Sequence, residues 1–330
     1  MSAVAQAQPN IALIKYWGKR DAALNLPATD SLSLTLDSLW TRTRVRFEPG
    51  LTQDVLEFNG GANAAMQPRV AACLDWIRAL AGSTLRARVQ TRNNFPTAAG
   101  LASSASGFAA LVVAATQALG LALNPAELSV WARRCSGSAA RSIFGGICTL
   151  ENGREADGSD TCARALLGAD AWPLEVVVAV TSLERKAVSS GTGMQSGTRT
   201  SPYYAAWVDT AHGDLQRAKA AVASRDFAAL AHVSEHNCLK MHAVMMTSEP
   251  ALIYWTGATL ATLQRVRALR ERDGRHVFFT VDAGPQVKAV CLPEDADSVA
   301  SALRAVPGVQ TILRSRLGAG ARCIADSTEI

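Results

Sequence analysis

The 330-residue chain carries seven cysteines at irregular spacings, and no two of them are separated by just two residues, so zinc-ribbon and Cys-x-x-Cys redox patterns are both missing. An odd, unpatterned set of this kind implies reduced thiols and a cytoplasmic protein. Met1 to Asn10 has neither a basic start nor an apolar run, and no charge-free window of about 18 apolar residues occurs, so no secretory signal or membrane span is expected. Neither G-x-x-x-x-G-K-[ST] nor G-x-G-x-x-G is present, which removes the two commonest nucleotide-binding loops. Internal repeats, long linkers and low-complexity tracts are absent as well. Aromatic residues are only 6% of the chain and few interleave with its basic segments, so stacking platforms for single-stranded nucleic acid are not expected.

What is present is a chain 48% hydrophobic and 18% charged, long enough for two lobes. Its net charge of +5 is scattered along the chain, which favours attraction of small anions over a nucleic-acid surface. Thr41, Thr43, Val45 and Phe47 alternate with Arg42, Arg44 and Arg46, and Leu85, Ala87 and Val89 alternate with Arg86 and Arg88; both runs read as half-buried strands with a solvated arginine face. Helical spacing of Val70, Cys73, Leu74 and Ile77 predicts a helix over residues 67–80, closed by Gly82. Asn124, Pro125 and Glu127 form the start of another, with a capping box. Apolar strands are predicted over 174–180, 277–281 and 287–292, the last two flanking the turn Asp282-Ala-Gly-Pro285, and long helices between about 202 and 272. Without steady βαβ alternation, the fold class is α+β.

One loop carries chemistry. Asn93-Asn-Phe-Pro-Thr-Ala-Ala-Gly-Leu-Ala-Ser-Ser-Ala-Ser106 follows an arginine-faced strand and runs into a helical face formed by Phe108, Leu111, Val112, Ala115 and Leu119. Small residues at a helix N-terminus let unpaired N–H groups and the positive dipole end meet phosphate, and serine hydroxyls can reach phosphate or magnesium. Composition alone equally describes an ordinary N-capped helix. Likewise Asp282 in isolation reads as a turn-initiating residue, and Lys15 and Lys19 as solvated charges. His232-Val-Ser-Glu-His236 matches the H-x-x-E-H pattern of inverted zinc peptidases, a five-residue pattern that arises easily by chance.

The order of Pro, Gly and paired Ser in the loop resembles the phosphate loop of the GHMP kinase superfamily. Asn10-Ile-Ala-Leu-Ile-Lys-Tyr-Trp-Gly-Lys-Arg-Asp21, Asn25-Leu-Pro27, Ser31-Leu-Ser-Leu-Thr-Leu36, Ser136-Gly-Ser-Ala-Ala-Arg-Ser-Ile-Phe-Gly-Gly146, Lys186-Ala-Val-Ser-Ser190, Thr200-Ser-Pro-Tyr-Tyr204, Lys240-Met-His-Ala243 and Asp282-Ala-Gly-Pro285 follow in order. Together they resemble the diphosphomevalonate decarboxylase family over nearly the whole chain. The resemblance implies a two-lobed GHMP kinase-like fold, with an ATP-binding and substrate lobe over 1–185 and a C-terminal lobe over 186–330. It implies ATP-dependent 3-phosphorylation and decarboxylation of mevalonate 5-diphosphate, with magnesium, in a cytoplasmic homodimer that engages neither nucleic acid nor membrane.

By the same resemblance Asp282 orients or deprotonates the 3-hydroxyl, Arg141 holds the substrate carboxylate, Lys186 neutralises the migrating phosphoryl group, and Lys15 lies in the catalytic cleft. Asn10, Tyr16, Lys19, Asn25, Ser136, Gly137, Ser138, Ser189 and Ser190 contact the rest of the substrate. Asn93, Pro96, Ala98, Ala99, Gly100, Leu101, Ala102, Ser103, Ser104 and Ser106 serve ATP, with Ser103 or Ser104 at the metal. One departure stands out: many members have Arg after the pair matching Ser189 and Ser190, where this chain has Gly191 followed by Thr192. Loss of that cation keeps a 5-monophosphate substrate, as in phosphomevalonate decarboxylase, as the alternative.

Overall fold

The computed structural model describes residues 1–95, 103–184, 186–325 and 330; Pro96, Ala98, Ala99, Gly100, Leu101 and Ala102 of the expected phosphate loop lie outside them. The chain opens with β1 (Ser2–Ala7), β2 (Asn10–Ile14), β3 (Lys19–Asp21), β4 (Leu26–Pro27), β5 (Ser31–Thr35), β6 (Thr41–Glu48), β7 (Val55–Phe58) and β8 (Gly61–Ala62). Next come α1 (Gln67–Ala81), β9 (Arg86–Asn93), α2 (Ser103–Ala118), α3 (Pro125–Cys135), α4 (Ala139–Ser142), β10 (Ile147–Leu150), β11 (Ala163–Leu167) and β12 (Glu175–Val180). The remainder is α5 (Ser190–Thr200), α6 (Tyr204–Ser224), α7 (Phe227–Met246), α8 (Gly257–Glu271), β13 (Val277–Val281), β14 (Val287–Cys291), α9 (Ala296–Arg304), β15 (Thr311–Arg316) and β16 (Arg322–Ile324). No helix among the described residues is long and apolar enough to cross a membrane.

Local signals account for much of this. In α3, Asn124 Oδ1 accepts from the N–H groups of Ala126 and Glu127, while Glu127 returns a bond to the Asn124 N–H, completing the expected capping box. Gly82 closes α1 in the left-handed region at φ 61°. Strand β6 buries Thr41, Thr43, Val45 and Phe47 and turns its arginines outward, as the alternation predicts. Helix α2 lies across β1 and β6, so Phe108, Leu111 and Val112 pack on Val45, Phe47 and Val89 to form the first-lobe core.

The strands form a six-stranded sheet ordered β16-β1-β6-β9-β7-β8, a four-stranded sheet β11-β10-β5-β2 and another four-stranded sheet β13-β14-β12-β15, with β3 and β4 as a small hairpin. Strand β12 precedes residue 186 yet joins the sheet of the later strands, and β16 returns to pair with β1. In the middle sheet β2, β5 and β10 are buried on both faces, and β11 forms the more exposed edge. In β5, Leu32 and Leu34 enter a core shared with Val176, Val178, Leu215 and Phe278, whereas Ser31 and Ser33 reach the arginine of α4. That shared core seats one lobe against the other.

The cysteines depart from expectation. Cys73 of α1 and Cys135 of α3 are disulfide-bonded, with Cα atoms 5.5 Å apart, while Cys148, Cys162, Cys238, Cys291 and Cys323 are free. A 62-residue separation leaves no spacing signal; helix packing alone brings the two sulfurs together.

A buried ion pair braces the first lobe: both nitrogens of the Arg78 fork donate to Asp54 at 2.9 Å, and Asp54 also accepts the Ala87 N–H. Asp54→Ala removes the buried partner of that guanidinium and leaves it only the exposed Asp75 among the described residues, and a loss of about 3–5 kcal/mol in unfolding free energy by urea titration is the expected outcome.

Candidate active site

A cleft of about 1000 Å³ opens where the lobes meet, and it gathers residues from β2, α1, α2, α4, α5 and the turn after β13. Its floor is an ion cluster. Lys15, just past β2, donates from Nζ to the Ala12 carbonyl and to Asp282 Oδ1, each at 2.7 Å. Lys288 Nζ lies 3.2 Å from Asp282 Oδ2, a second ion pair on the other carboxylate oxygen. Burial pushes the Asp282 carboxyl upward, but Lys15 and Lys288 outweigh it and hold the group well below the usual carboxylate range. Asn237 of α7 accepts the Lys15 N–H at 2.8 Å and donates to Asp214 of α6 at 2.6 Å, so the second lobe grips the backbone that presents Lys15.

Arg141 forms the next wall. It is 2% exposed, yet its hydrogen-bond partners are neutral: Nε donates to Asn10 Oδ1 and Ser33 Oγ, and Nη1 donates to Ser31 Oγ at 2.7 Å. Asn10 is itself fixed by bonds to Ser142 Oγ and the Ser138 carbonyl. A buried guanidinium without a carboxylate partner is expensive, and burial depresses its proton affinity; the arrangement suits an anion arriving from the cleft. Arg141 supplies a planar fork for a carboxylate there.

Further along, the Tyr16 hydroxyl lies beside Gly137, where any side chain would collide with it. Ser136 and Ser138 flank that glycine on the cleft wall, and Lys19 stands opposite, its proton affinity lowered by burial and by the Arg69 guanidinium. Asn25 has φ 53° and spends its amide on the Arg134 carbonyl, so it shapes the wall from behind. On the second-lobe side, Lys186 Nζ donates to Ser190 Oγ at 2.7 Å and to the Ala283 carbonyl at 3.0 Å. Burial, then the neighbouring Lys288 charge, lower the Lys186 pKa to about 8 against the opposing pull of Asp282. Ser189 caps α5 by accepting the Thr192 N–H, which leaves the helix N-terminus on the cleft. Gly193 lets α5 approach Trp17 closely, whereas a Cβ at Gly191 meets, among the described residues, only Ser189 Oγ, at 3.8 Å.

On the nucleotide side, Ser103 and Ser104 at the start of α2 border both the cleft and an apolar slot formed by Leu56, Met66, Val70 and Phe108. Ser106 and Asn93 are placed otherwise. The Ser106 hydroxyl is wholly buried and shares a 2.7 Å bond with Thr41 Oγ1, which in turn donates to Asn93 Oδ1. Through these bonds Asn93 and Ser106 are both tied to Thr41 of β6. No convergent group of three or more His, Cys, Asp or Glu side chains occurs among the described residues. Magnesium, which keeps waters and takes phosphate oxygens and hydroxyls, needs no such group, and the Ser103 and Ser104 hydroxyls fit it. Glu235 of the H-x-x-E-H pattern is held by both nitrogens of the Arg270 fork and by the Phe279 N–H, a structural commitment.

Lys288, Asn237 and Arg69 were missed by sequence reasoning. A lysine inside the apolar run Val287-Lys-Ala-Val-Cys291 was the available signal for the first; the other two sit on helices where nothing local marks them.

Residues 7–163 match the diphosphomevalonate decarboxylase-like N-terminal domain, and residues 176–322 match the mevalonate 5-diphosphate decarboxylase C-terminal domain. Diphosphomevalonate decarboxylase of Aspergillus fumigatus is 38% identical over 328 residues, spanning 94% of this chain and 81% of the relative. The chain belongs to the diphosphomevalonate decarboxylase family. The Rattus norvegicus diphosphomevalonate decarboxylase is 36% identical over 317 residues, spanning 90% of this chain and 78% of its own. The crystal structure of mevalonate diphosphate decarboxylase from Staphylococcus aureus superposes with a TM-score of 0.92 at 37% identity, covering 98% of each chain. A complex of MDDEF with MVAPP, AMPPCP and magnesium gives 0.91 at 37% identity, over 98% of this chain and 99% of that one. The α+β architecture here is therefore the GHMP kinase-like fold of diphosphomevalonate decarboxylases.

Because Lys186 keeps its proton only below about 8, kcat/KM is expected to fall as pH rises through that value. A Lys186→Arg variant, charged throughout, is expected to be slower but to hold its activity to higher pH; parallel pH–rate profiles check both.

Proposed function

We propose that this chain converts mevalonate 5-diphosphate and ATP into isopentenyl diphosphate, ADP, phosphate and carbon dioxide. One observation carries the reading: Asp282, kept ionised by lysines, opens on the same cleft as Arg141, a buried guanidinium with no carboxylate partner among the described residues. The pair supplies an acceptor for a hydroxyl proton and a seat for a carboxylate, the two groups that a 3-hydroxy acid presents.

The Asp282 carboxylate accepts the 3-hydroxyl hydrogen bond and aims the oxygen at the terminal phosphorus of ATP. With its basicity lowered by Lys15 and Lys288, the carboxylate orients the hydroxyl and takes the proton only as the oxygen–phosphorus bond forms. Lys186 neutralises charge on the transferred group. The tertiary phosphate ester then leaves with its bonding electrons, and the electrons of the carbon–carboxylate bond form the alkene as carbon dioxide departs. Arg141 holds that carboxylate through the first step, and Tyr16, Lys19, Ser136, Gly137 and Ser138 take the 5-diphosphate with Asn10 and Asn25 as supports. Ser189 and Ser190 present the α5 N-terminus to the same end of the substrate. Ser103 and Ser104 serve the ATP phosphates, Asn93 and Ser106 hold the segments that flank the loop, and a serine hydroxyl of Ser103 or Ser104 would help hold magnesium, which would supply further neutralisation. A cytoplasmic homodimer is the working form we carry over from the family resemblance, and light scattering on the purified protein reads its mass.

Carbon dioxide and phosphate released in equal amounts from mevalonate 5-diphosphate, with mevalonate 5-phosphate turned over far more slowly, is the expected result; a stable phosphorylated product overturns the reading. Asp282→Asn is expected to bind both ligands in calorimetry yet lose at least about a thousandfold in kcat. The open space at Gly191 accepts an arginine, so Gly191→Arg is expected to lower KM for the diphosphate about two- to fivefold with kcat unchanged.

A further inference from the structure

Lys288 is 0% exposed and rises from the middle of a sheet, with Val178 of β12 and Thr280 of β13 directly opposite it. Thr280 Oγ1 donates to the Ala12 carbonyl, the same oxygen that receives Lys15 Nζ, so this face of the sheet abuts the end of β2. The groups around the Lys288 ammonium are Asp282 from the turn after β13, Lys15 from just past β2, Cys238 and His242 from α7, and Lys186 from the segment before α5; Arg141 of α4 acts on Asp282 in turn. Lys15, Asp282 and Lys288 together carry two ammonium groups and one carboxylate, a positive charge more than the trio neutralises. Burying that extra charge opposes folding, and methionine fills the same volume without it.

We infer that Lys288 is a positioning residue for phosphoryl transfer, holding Asp282 Oδ2 from the sheet side while Lys15 holds Oδ1, and lending the transfer site positive potential that reaches Lys186. A contact on one oxygen leaves the carboxylate free to rotate about its terminal bond; opposed contacts on both oxygens set its plane and hence the line along which the substrate hydroxyl is aimed. Anionic ligands in the cleft meet that positive charge, so it favours the state in which phosphate is present. The inference rests on the roles of Asp282 and Lys186 given above.

Lys288→Met and Lys288→Arg test it. The methionine variant is expected to melt at or above the parent temperature, to keep both KM values within about threefold, and to lose about ten- to a hundredfold in kcat, part of which the arginine variant restores. A second readout needs no turnover. The chain has six lysines, so reductive 13C-methylation gives a resolvable lysine spectrum in which Lys186 is identified by its absence from a Lys186→Arg variant. Removing Lys288 is expected to raise the titration midpoint of Lys186 above that of the parent protein. An unchanged kcat, or an unmoved Lys186 midpoint, overturns the inference. A methionine variant that melts well below the parent, with arginine no better, overturns it too, since the lysine then serves the fold. If the parent itself releases no carbon dioxide, the decarboxylase reading fails, and the Lys186 titration still decides the electrostatic claim for Lys288.

Discussion

The ion pair between Lys15 and Asp282 joins positions 267 residues apart, one at the end of a first-lobe strand and the other in a second-lobe turn. A charge pair in a buried place survives only where hydrogen bonds replace lost water. Here the Ala12 carbonyl completes the ammonium, and the Asn237–Asp214 pair holds the backbone behind it. Because those supports come from both lobes, the relative seating of the lobes and the geometry of the carboxylate are one constraint. The core shared by β2, β5, β12, α6 and α7 makes that seating stiff.

Around this pair the protein arranges positive charge that it does not itself neutralise. Arg141 is held by hydroxyls and an amide, and Lys186 by a hydroxyl and a carbonyl. Neutral partners orient a cation without consuming its charge, so the attraction is left for the carboxylate and phosphates of the ligands. The alternation of β5 makes this possible: leucines on one face build the core, and serines on the other face position Arg141.

Helix and strand limits were legible wherever the signal is local. The capping box at Asn124, the left-handed Gly82 and the alternation of β6 each depend on residues within a turn or two of one another. The contacts that complete the site are not of that kind. Ser106 looks like a phosphate ligand in its serine-rich run, yet Thr41, 65 positions away, takes its hydroxyl. Asn237 carries no mark on a helix whose pattern reads as packing. Cys73 and Cys135 pair only because α1 and α3 pack together.

By itself, the sequence determined the α+β class, the elements with strong local signals and, through ordered blocks along nearly the whole chain, the family, because these rest on local periodicity and on motif order. Tertiary structure alone decided which charges meet. It put Lys288 beside Asp282, tied Ser106 and Asn93 to Thr41, and left Arg141 buried without a carboxylate among the described residues. The physical reason is that hydrogen bonds and ion pairs depend on distances of about 3 Å in space, which separation along the chain does not encode.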